Sequence, residues 1–501
     1  MVTLDGESLT LEQVARVARE GGEVDLDASA LKRMRQSRAV IEQMAAGDAP
    51  VYGVNTGFGQ LADVRIEAGD LETLQRNIVR SHACGVGEPL PEDVVRAMML
   101  IRANVLAKGL SGIRTQVAKR LVGLLNKGVT PVAPSRGSVG ASGDLAPLAH
   151  MALVLIGEGS AYYHGKLLPG GEALEAAGLA PVTLQAKEGI SLVNGTQAML
   201  AVGGLALLDA EELLEAADAA CALSLDSLKG TPRAFDARLH KARPHPGQMA
   251  SAERLRGWLE GSEIRHSHET CRRVQDAYSL RCAPQVHGAA GDALAEARRV
   301  VAIELNSATD NPLVFGEETL SGGNFHGQHL ALAFDYGAVA LCALAGISER
   351  RVDRMVNPAL NEGLPPFLTT HPGLESGLMM LQVTAAALVA ELRVLATPAS
   401  PGSITTSGNK EDFVSMGMTA ALKFARAVEL TRQVLAVEFV VALHALETLR
   451  PLKTGVRLEK VRKELVEVVR PAMEDRARTA EIEVVSAWIR MWRRRRSEWW
   501  S

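Results

Sequence analysis

Residues 378–396 read LMMLQVTAAALVAELRVLA, a stretch whose only charges, Glu391 and Arg393, lie near its end and which Pro398 follows. A helix that is apolar around its whole circumference must bury every face, and a proline just beyond it marks its stop. Residues 415–449, SMGMTAALKFARAVELTRQVLAVEFVVALHALETL, repeat the pattern with Pro451 as the stop. Both segments are predicted to lie in a bundle core or at a subunit interface. Long helical patterns dominate from residue 200 onward. The chain has 501 residues, well past the roughly 250–300 at which one core stops growing. The predicted fold is mainly α: an elongated helical bundle over 201–501, preceded by a smaller mixed region of loops and short strands over 1–200. Aromatic residues are only 4% of the chain. Ala, Leu and Val must therefore build the core, and small alanines let helices approach closely.

Apolar residues make up 47% and charged residues 22%, a globular balance and not a disordered one. The net charge is −4. Nucleic-acid binders carry a basic excess, so no nucleic-acid partner is expected. The basic run Arg493–Arg496 reads as a solvated tail. Cys84, Cys221, Cys271, Cys282 and Cys342 are odd in number and widely spaced, which suits a reducing compartment. The opening MVTLDGESLTLEQ is too polar for a signal peptide. No uncharged apolar run reaches the ~18–20 residues of a membrane span. Together these features predict a cytoplasmic protein with no membrane partner.

The N-terminal region alternates helical periodicity with glycine-rich interruptions. Ser8-Leu-Thr-Leu-Glu12 offers cap residues before an early helix. PVYGVNTGFGQLA, 50–62, reads as an irregular loop. Periodicity returns at 70–82 and 91–126. PVAPSRGSVGASGD, 131–144, is irregular again, because its prolines and glycines forbid a regular helix. A helix follows over 144–158, and YYHGKLLPGGEAL within 160–184 reads as a small hairpin. Loops on a rigid scaffold are where chemistry usually sits.

GSVGASGDLAPLAH, 137–150, is the most informative of these stretches. It can be read as a helix start, with Ser142 as N-cap and Asp144 in the first turn, where an acid suits the helix dipole. It can also be read as reactive backbone. The Gly143 amide has no side chain to block its attack on the carbonyl of Ala141, two residues earlier. Loss of water from that ring and from Ser142 leaves a conjugated methylidene-imidazolone, an electron sink that no standard side chain supplies.

The segment resembles the cofactor-forming motif of the aromatic amino-acid ammonia-lyases, a family of histidine, tyrosine and phenylalanine lyases and related 2,3-aminomutases. Six further segments fall in the family's order. They are VYGVNTGFG at 51–59, QRNIVRSHACGVGEPL at 75–90, SLVNGTQA at 191–198, QDAYSLRCAPQVHG at 275–288, SGGNFHG at 321–327 and NKEDFVSMG at 409–417. The likeness spans essentially the whole chain. It implies a 4-methylidene-imidazol-5-one formed autocatalytically from Ala141, Ser142 and Gly143, with no external cofactor and no metal. It also implies a homotetramer with sites shared between subunits and a small amino acid as the partner molecule.

The resemblance makes Tyr52 the base that takes the substrate's β-proton; read alone, Tyr52 is a half-buried aromatic. An unperturbed phenol titrates near 10, so a nearby cation or electrophile would have to lower it. Arg281 becomes the bidentate clamp for the substrate carboxylate. It follows Tyr278 by three residues and shares a helical face with it, and Tyr278 joins the catalytic set. Gln275 and Asn194 would give neutral hydrogen bonds to the substrate or to the cofactor oxygen, and a donor to that oxygen makes the ring more electrophilic. Phe325 would pack against the electrophile; alone it reads as a core aromatic. His82 would line the side-chain end of the pocket, although a lone histidine is more often structural. Glu411 would pair with an imidazole or an ammonium, and no phenyl ring could satisfy it when buried; alone it is an exposed acid at a helix start. His82 and Glu411 make L-histidine the expected substrate and trans-urocanate the product. A tyrosine or phenylalanine lyase, or an aminomutase, is the alternative within the family. Phe413, Ala283, His329 and Lys410 depart from the pattern common in histidine-specific members, and they bear on the substrate, not on the family.

Three readings compete. A metal enzyme would use the pairs His326/His329, His266/His268 or His240/His245, but none has the third ligand and spacing of a zinc site. A phosphate-binding GVNTGFG lacks the lysine that follows in a P-loop. A non-catalytic helical scaffold explains the apolar helices but not the ordered polar, glycine-rich loops.

Overall fold

The computed structural model describes residues 1–269, 273–472 and 474–500, apart from the side chains of Gln60, Arg496 and Ser497. Cys271 lies outside the described residues. These residues form twenty α-helices and nine short strands, so the fold is mainly α. The chain divides into two compact units. The first comprises Met1–Leu205, Arg298–Phe334 and Pro398–Leu422; the second comprises Ala206–Ala297, Asp335–Thr397 and Lys423–Ser501. A boundary drawn at residue 200 thus falls close to Leu205, while two later stretches join the first unit. Their partners are far away in sequence: Ser142 and Glu411, for example, are hydrogen-bonded across 269 positions.

The two apolar segments behave differently. The helix Gly417–Glu447 is buried around most of its circumference, Phe424, Val434 and Phe439 included. The helix Met379–Leu395 buries only the stripe Leu381, Ala385, Val389 and Leu392. Met380, Val383 and Val394 remain 61%, 46% and 72% exposed. Of the two expected settings, a bundle core within one chain thus accounts for that stripe alone. Close approach through small residues is realised in both units. A Cβ on Gly203 would lie 2.1 Å from the Phe334 ring, and one on Gly337 2.7 Å from the Phe424 ring.

The helix Gln328–Val356 is long and apolar enough to cross a membrane by length and composition alone, but 61% of that stretch is buried, so core packing accounts for its character. The C-terminal basic run is solvated at Arg493 and Arg494, which are exposed, but it is not a loose tail. It forms the helix Trp492–Trp500, with Trp492 and Trp499 buried. Glu464 accepts from the Trp488 and Trp499 indoles and from Arg495 Nη1 at 2.7 Å.

In the first unit the early helix Leu11–Glu20 starts with a capping box between Thr10 and Gln13. The periodic stretch 91–126 splits into Glu92–Ala107 and Thr115–Lys127. Gly109 and Gly112, at φ +81° and +67°, break it, and a Cβ there would lie 2.5 Å from Arg33 Cβ and 2.3 Å from Ile41 Cγ1. The expected hairpin is present as Ser160–Tyr163 paired antiparallel with Lys166–Pro169.

Candidate active site

The loop around Tyr52 is fixed by Asn55, whose Oδ1 accepts from Val51 N at 2.7 Å and whose Nδ2 donates to Ala49 O at 3.0 Å. Tyr52 is half-buried, and its ring meets Phe58 edge-on at 6.1 Å. Burial raises its phenol above the ordinary value, Glu411 raises it further, and the Gly59 backbone works against both. The shift is therefore opposite to the lowering that a cation would give: the charges that act on Tyr52 within this chain disfavour phenolate.

Ser142 does not cap a helix. The helix Leu145–Leu155 begins at Asp144, which makes no side-chain cap bond. Ser142 instead sits in a left-handed conformation at φ +51°, followed by Gly143 at +80°. Bridges Gly140↔Gly143 and Gly143↔Gly195 pin the turn. Asp144 is fully buried; Ser138 Oγ and Met199 N donate to its two oxygens at 2.8 and 2.7 Å. Burial pushes its carboxyl up to about 6. A Cβ on Gly143 would lie 2.1 Å from Gly195 O, which is backbone and cannot move aside. Gly143→Ala is therefore expected to lower the unfolding midpoint by the equivalent of ~1–3 kcal/mol or more, as read by calorimetry.

The Ser142 carbonyl oxygen faces two donors. Gly195 N reaches it at 3.2 Å, and Asn194 Nδ2 at 2.7 Å, in the amide orientation that also lets Asn194 Oδ1 accept from Asn311 N at 2.9 Å. Asn194 itself is held from behind. Fully buried Arg102 donates from Nη2 to Asn194 O at 2.8 Å and from Nη1 to Gln197 Oε1 at 2.8 Å. Desolvation lowers this guanidinium to about 10, which leaves it cationic at neutral pH. Below it, the buried pair Lys187–Asp310 closes at 3.0 Å, and Asp310 Oδ1 accepts from Asn311 N at 2.7 Å.

Ser142 Oγ donates to Glu411 Oε1 at 3.0 Å, and Thr406 Oγ1 donates to Glu411 Oε2 at 2.8 Å. Glu411 therefore sits on the serine hydroxyl, a contact the sequence did not reveal. His82 ends the helix Leu71–His82. Its Nδ1 is 2.8 Å from Ile78 O, which puts the ring proton on Nδ1 and leaves Nε2 as an acceptor.

These side chains line one cavity of about 630 Å³: Tyr52, His82, Ser142, Asn194, Phe325 and Glu411, with Phe58, Asn311 and Lys410 beside them. Its whole lining belongs to the first unit. Gln275, Tyr278 and Arg281 belong to the second unit and do not line it. Gln275 is exposed and Tyr278 is 70% exposed. The Arg281 guanidinium stacks 4.4 Å over the Tyr278 ring, as three-residue spacing on a turn allows. Asn311, Arg102 and Thr406 were missed by sequence reasoning. Arg102 alone gave a signal, the one charge within the largely apolar run MMLIRANVLA, which burial permits only with partners. Among the described residues no three His, Cys, Asp or Glu side chains cluster as metal ligands.

A strained turn that presents a serine, with donors on its carbonyl and a carboxylate on its hydroxyl, agrees with the comparison to known families. Residues 9–467 match the model for aromatic amino acid lyases, and the chain belongs to that family. It is therefore a carbon–nitrogen lyase by class. It is 58% identical to a histidine ammonia-lyase of Koribacter versatilis, over 97% of each chain. Its fold superposes on the crystal structure of histidine ammonia-lyase from Trypanosoma cruzi with a TM-score of 0.92 at 40% identity, covering 99% of this chain and 94% of that one. A tyrosine aminomutase from Streptomyces globisporus is also similar, with a TM-score of 0.93 at 38% identity, covering 99% and 98%.

Proposed function

We propose that the chain eliminates ammonia from L-histidine to give trans-urocanate, with an electrophile made from Ala141, Ser142 and Gly143. The observation that carries this is the pair of donors, Asn194 Nδ2 and Gly195 N, on Ser142 O. Closure joins Gly143 N to the Ala141 carbonyl carbon. The Ala141 oxygen leaves as water with the two amide hydrogens, and the Ser142 hydroxyl leaves as water with the Cα proton. The one carbonyl oxygen left on the ring is that of Ser142, so the two donors withdraw electron density from the ring. The finished group supplies an electrophilic alkene that converts the substrate's amino group into a leaving group.

The chain's own side chains do the rest. Loss of the Ser142 hydroxyl frees Glu411 Oε1 for the substrate imidazole, and His82 Nε2 accepts from an imidazole N–H. Tyr52 takes the β-proton as the C–N bond breaks and the double bond forms. We read Gln275, Tyr278 and Arg281 as reaching the cavity of a neighbouring copy in a homotetramer, with Arg281 on the substrate carboxylate. The exposed apolar face of Met379–Leu395 supports that assembly. The unpaired state of Cys84, Cys221, Cys282 and Cys342 supports a cytoplasmic setting.

The test is a parallel assay of histidine, tyrosine and phenylalanine, following urocanate, cinnamate-type products and β-amino acids. Histidine alone is expected to react, with urocanate as the only product. Turnover confined to tyrosine, or a β-amino acid as the product, would overturn the substrate or the lyase assignment respectively.

A further inference from the structure

The second unit holds a network of buried polar and charged groups that the reaction chemistry does not use. Arg351 and Glu438, both fully buried, form a bidentate pair with Nε–Oε1 at 2.5 Å and Nη2–Oε2 at 2.8 Å. Ser224 Oγ and Ser348 Oγ donate to the two Glu438 oxygens at 2.7 and 2.6 Å. The remaining terminal nitrogen, Arg351 Nη1, lies 3.3 Å from Ser279 O and 3.3 Å from His287 Nε2. His287 Nδ1 lies 2.7 Å from Asp218 Oδ1. Asp218 also accepts from Ser251 Oγ at 2.6 Å and Arg254 Nε at 2.7 Å.

The protonation pattern follows from these contacts. Arg351 can only donate, so His287 Nε2 accepts and the ring proton sits on Nδ1, facing Asp218. Two guanidinium groups then balance two carboxylates around a neutral histidine. Burying such a set is costly, and its net contribution to stability is small or negative. What it does supply is fixed direction, because each of the four members is hydrogen-bonded on more than one side and such networks rigidify what they hold.

That direction falls on one short turn. The helix Tyr278–Arg281 has four residues and is separated by Cys282 alone from the helix Ala283–Glu304, so it is a distinct turn at that helix's start whose aim depends on what grips it. Its Ser279 carbonyl, next to Tyr278 and two residues before Arg281, accepts from Arg351 Nη1. The Tyr278 and Arg281 side chains stack on each other at the surface of the unit, and Arg281 Nε is buried without a partner. Besides its backbone bond from Cys282 N to Tyr278 O, the anchor from beneath is thus a side-chain contact that bears on where both side chains stand.

We propose that the buried Asp218–His287–Arg351–Glu438 network is a positioning device for the Tyr278–Arg281 turn, and that His287 is a positioning residue for the substrate clamp. This rests on the reading that Arg281 binds the substrate carboxylate. His287 sets the aim of Arg351 by holding one side of Nη1, so its loss lets the Ser279 carbonyl drift.

The experiment is a double-mutant cycle in the full-length enzyme, with histidine as substrate. His287→Leu fills the space but offers neither hydrogen bond. It is expected to lower kcat/KM by about 10- to 100-fold, because a shift of about 1 Å in a positioning group costs that much, and chiefly through KM. His287→Gln, which can donate to Asp218 and accept from Arg351, is expected to restore kcat/KM to within about threefold. The loss in His287→Leu combined with Arg281→Lys should match that of Arg281→Lys alone, because coupled residues are not additive. Multiplied losses, or a leucine variant as active as the glutamine one, would overturn the proposal. A fully active Arg281→Lys would instead overturn the clamp reading itself. If His287→Leu does not fold, Arg351→Lys gives the same cycle, since it keeps the charge beside Glu438 and removes the second donor.

Discussion

Ser142→Ala is expected to fold normally, to lack the near-ultraviolet absorbance of a conjugated imidazolone, and to lose turnover by on the order of 10³-fold or more, as when one member of a catalytic unit is removed. Alanine can close the ring but has no hydroxyl to lose, so no alkene forms. The structural cost is small. Alanine meets the same left-handed strain at φ +51° as serine does. The lost bond to Glu411 Oε1 leaves that carboxylate beside an open cavity and still bonded to Thr406. Loss of activity would therefore come without loss of fold, which circular dichroism and the unfolding midpoint would separate. An active Ser142→Ala enzyme would end the electrophile assignment, whatever the substrate.

The same residue shows what the sequence could and could not tell. Family order marked Ala141-Ser142-Gly143 and Tyr52, and apolar periodicity marked the helical core, because local pattern records burial and backbone freedom. The contact of Ser142 with Glu411 spans 269 positions, and no local pattern encodes it. Asn311 was hidden for the same reason: its value lies in a backbone N–H that turns the Asn194 amide toward Ser142. Met379–Leu395 stayed open between core and interface, because composition shows that a face is apolar but not whether the same chain covers it; one chain buries only its Leu381, Ala385, Val389 and Leu392 stripe. Tyr52 does line the cavity, but the direction of its shift depends on burial and on Glu411, which only the fold brings together.

Tyr52→Phe is expected to cost about 10²- to 10⁴-fold in kcat, the usual contribution of a positioned general base. Phenylalanine keeps the edge-on contact with Phe58, so the unfolding midpoint should hardly move. The pH profile makes the test sharper. A phenol is active as a base only after losing its proton, so rate rises with pH toward the group's own pKa. Burial first, and Glu411 second, hold that pKa above the ordinary 10. The wild-type kcat/KM should therefore still be rising on the alkaline side, and Tyr52→Phe should flatten that limb. Glu411→Gln removes a negative charge that raises the phenol, so its alkaline limb should move to lower pH even as substrate binding weakens. The position of a limb and its height are separate readouts, which divides the two roles of Glu411. A Tyr52→Phe profile that keeps the wild-type limb would assign the base to another residue, and Tyr278 would be the next to replace.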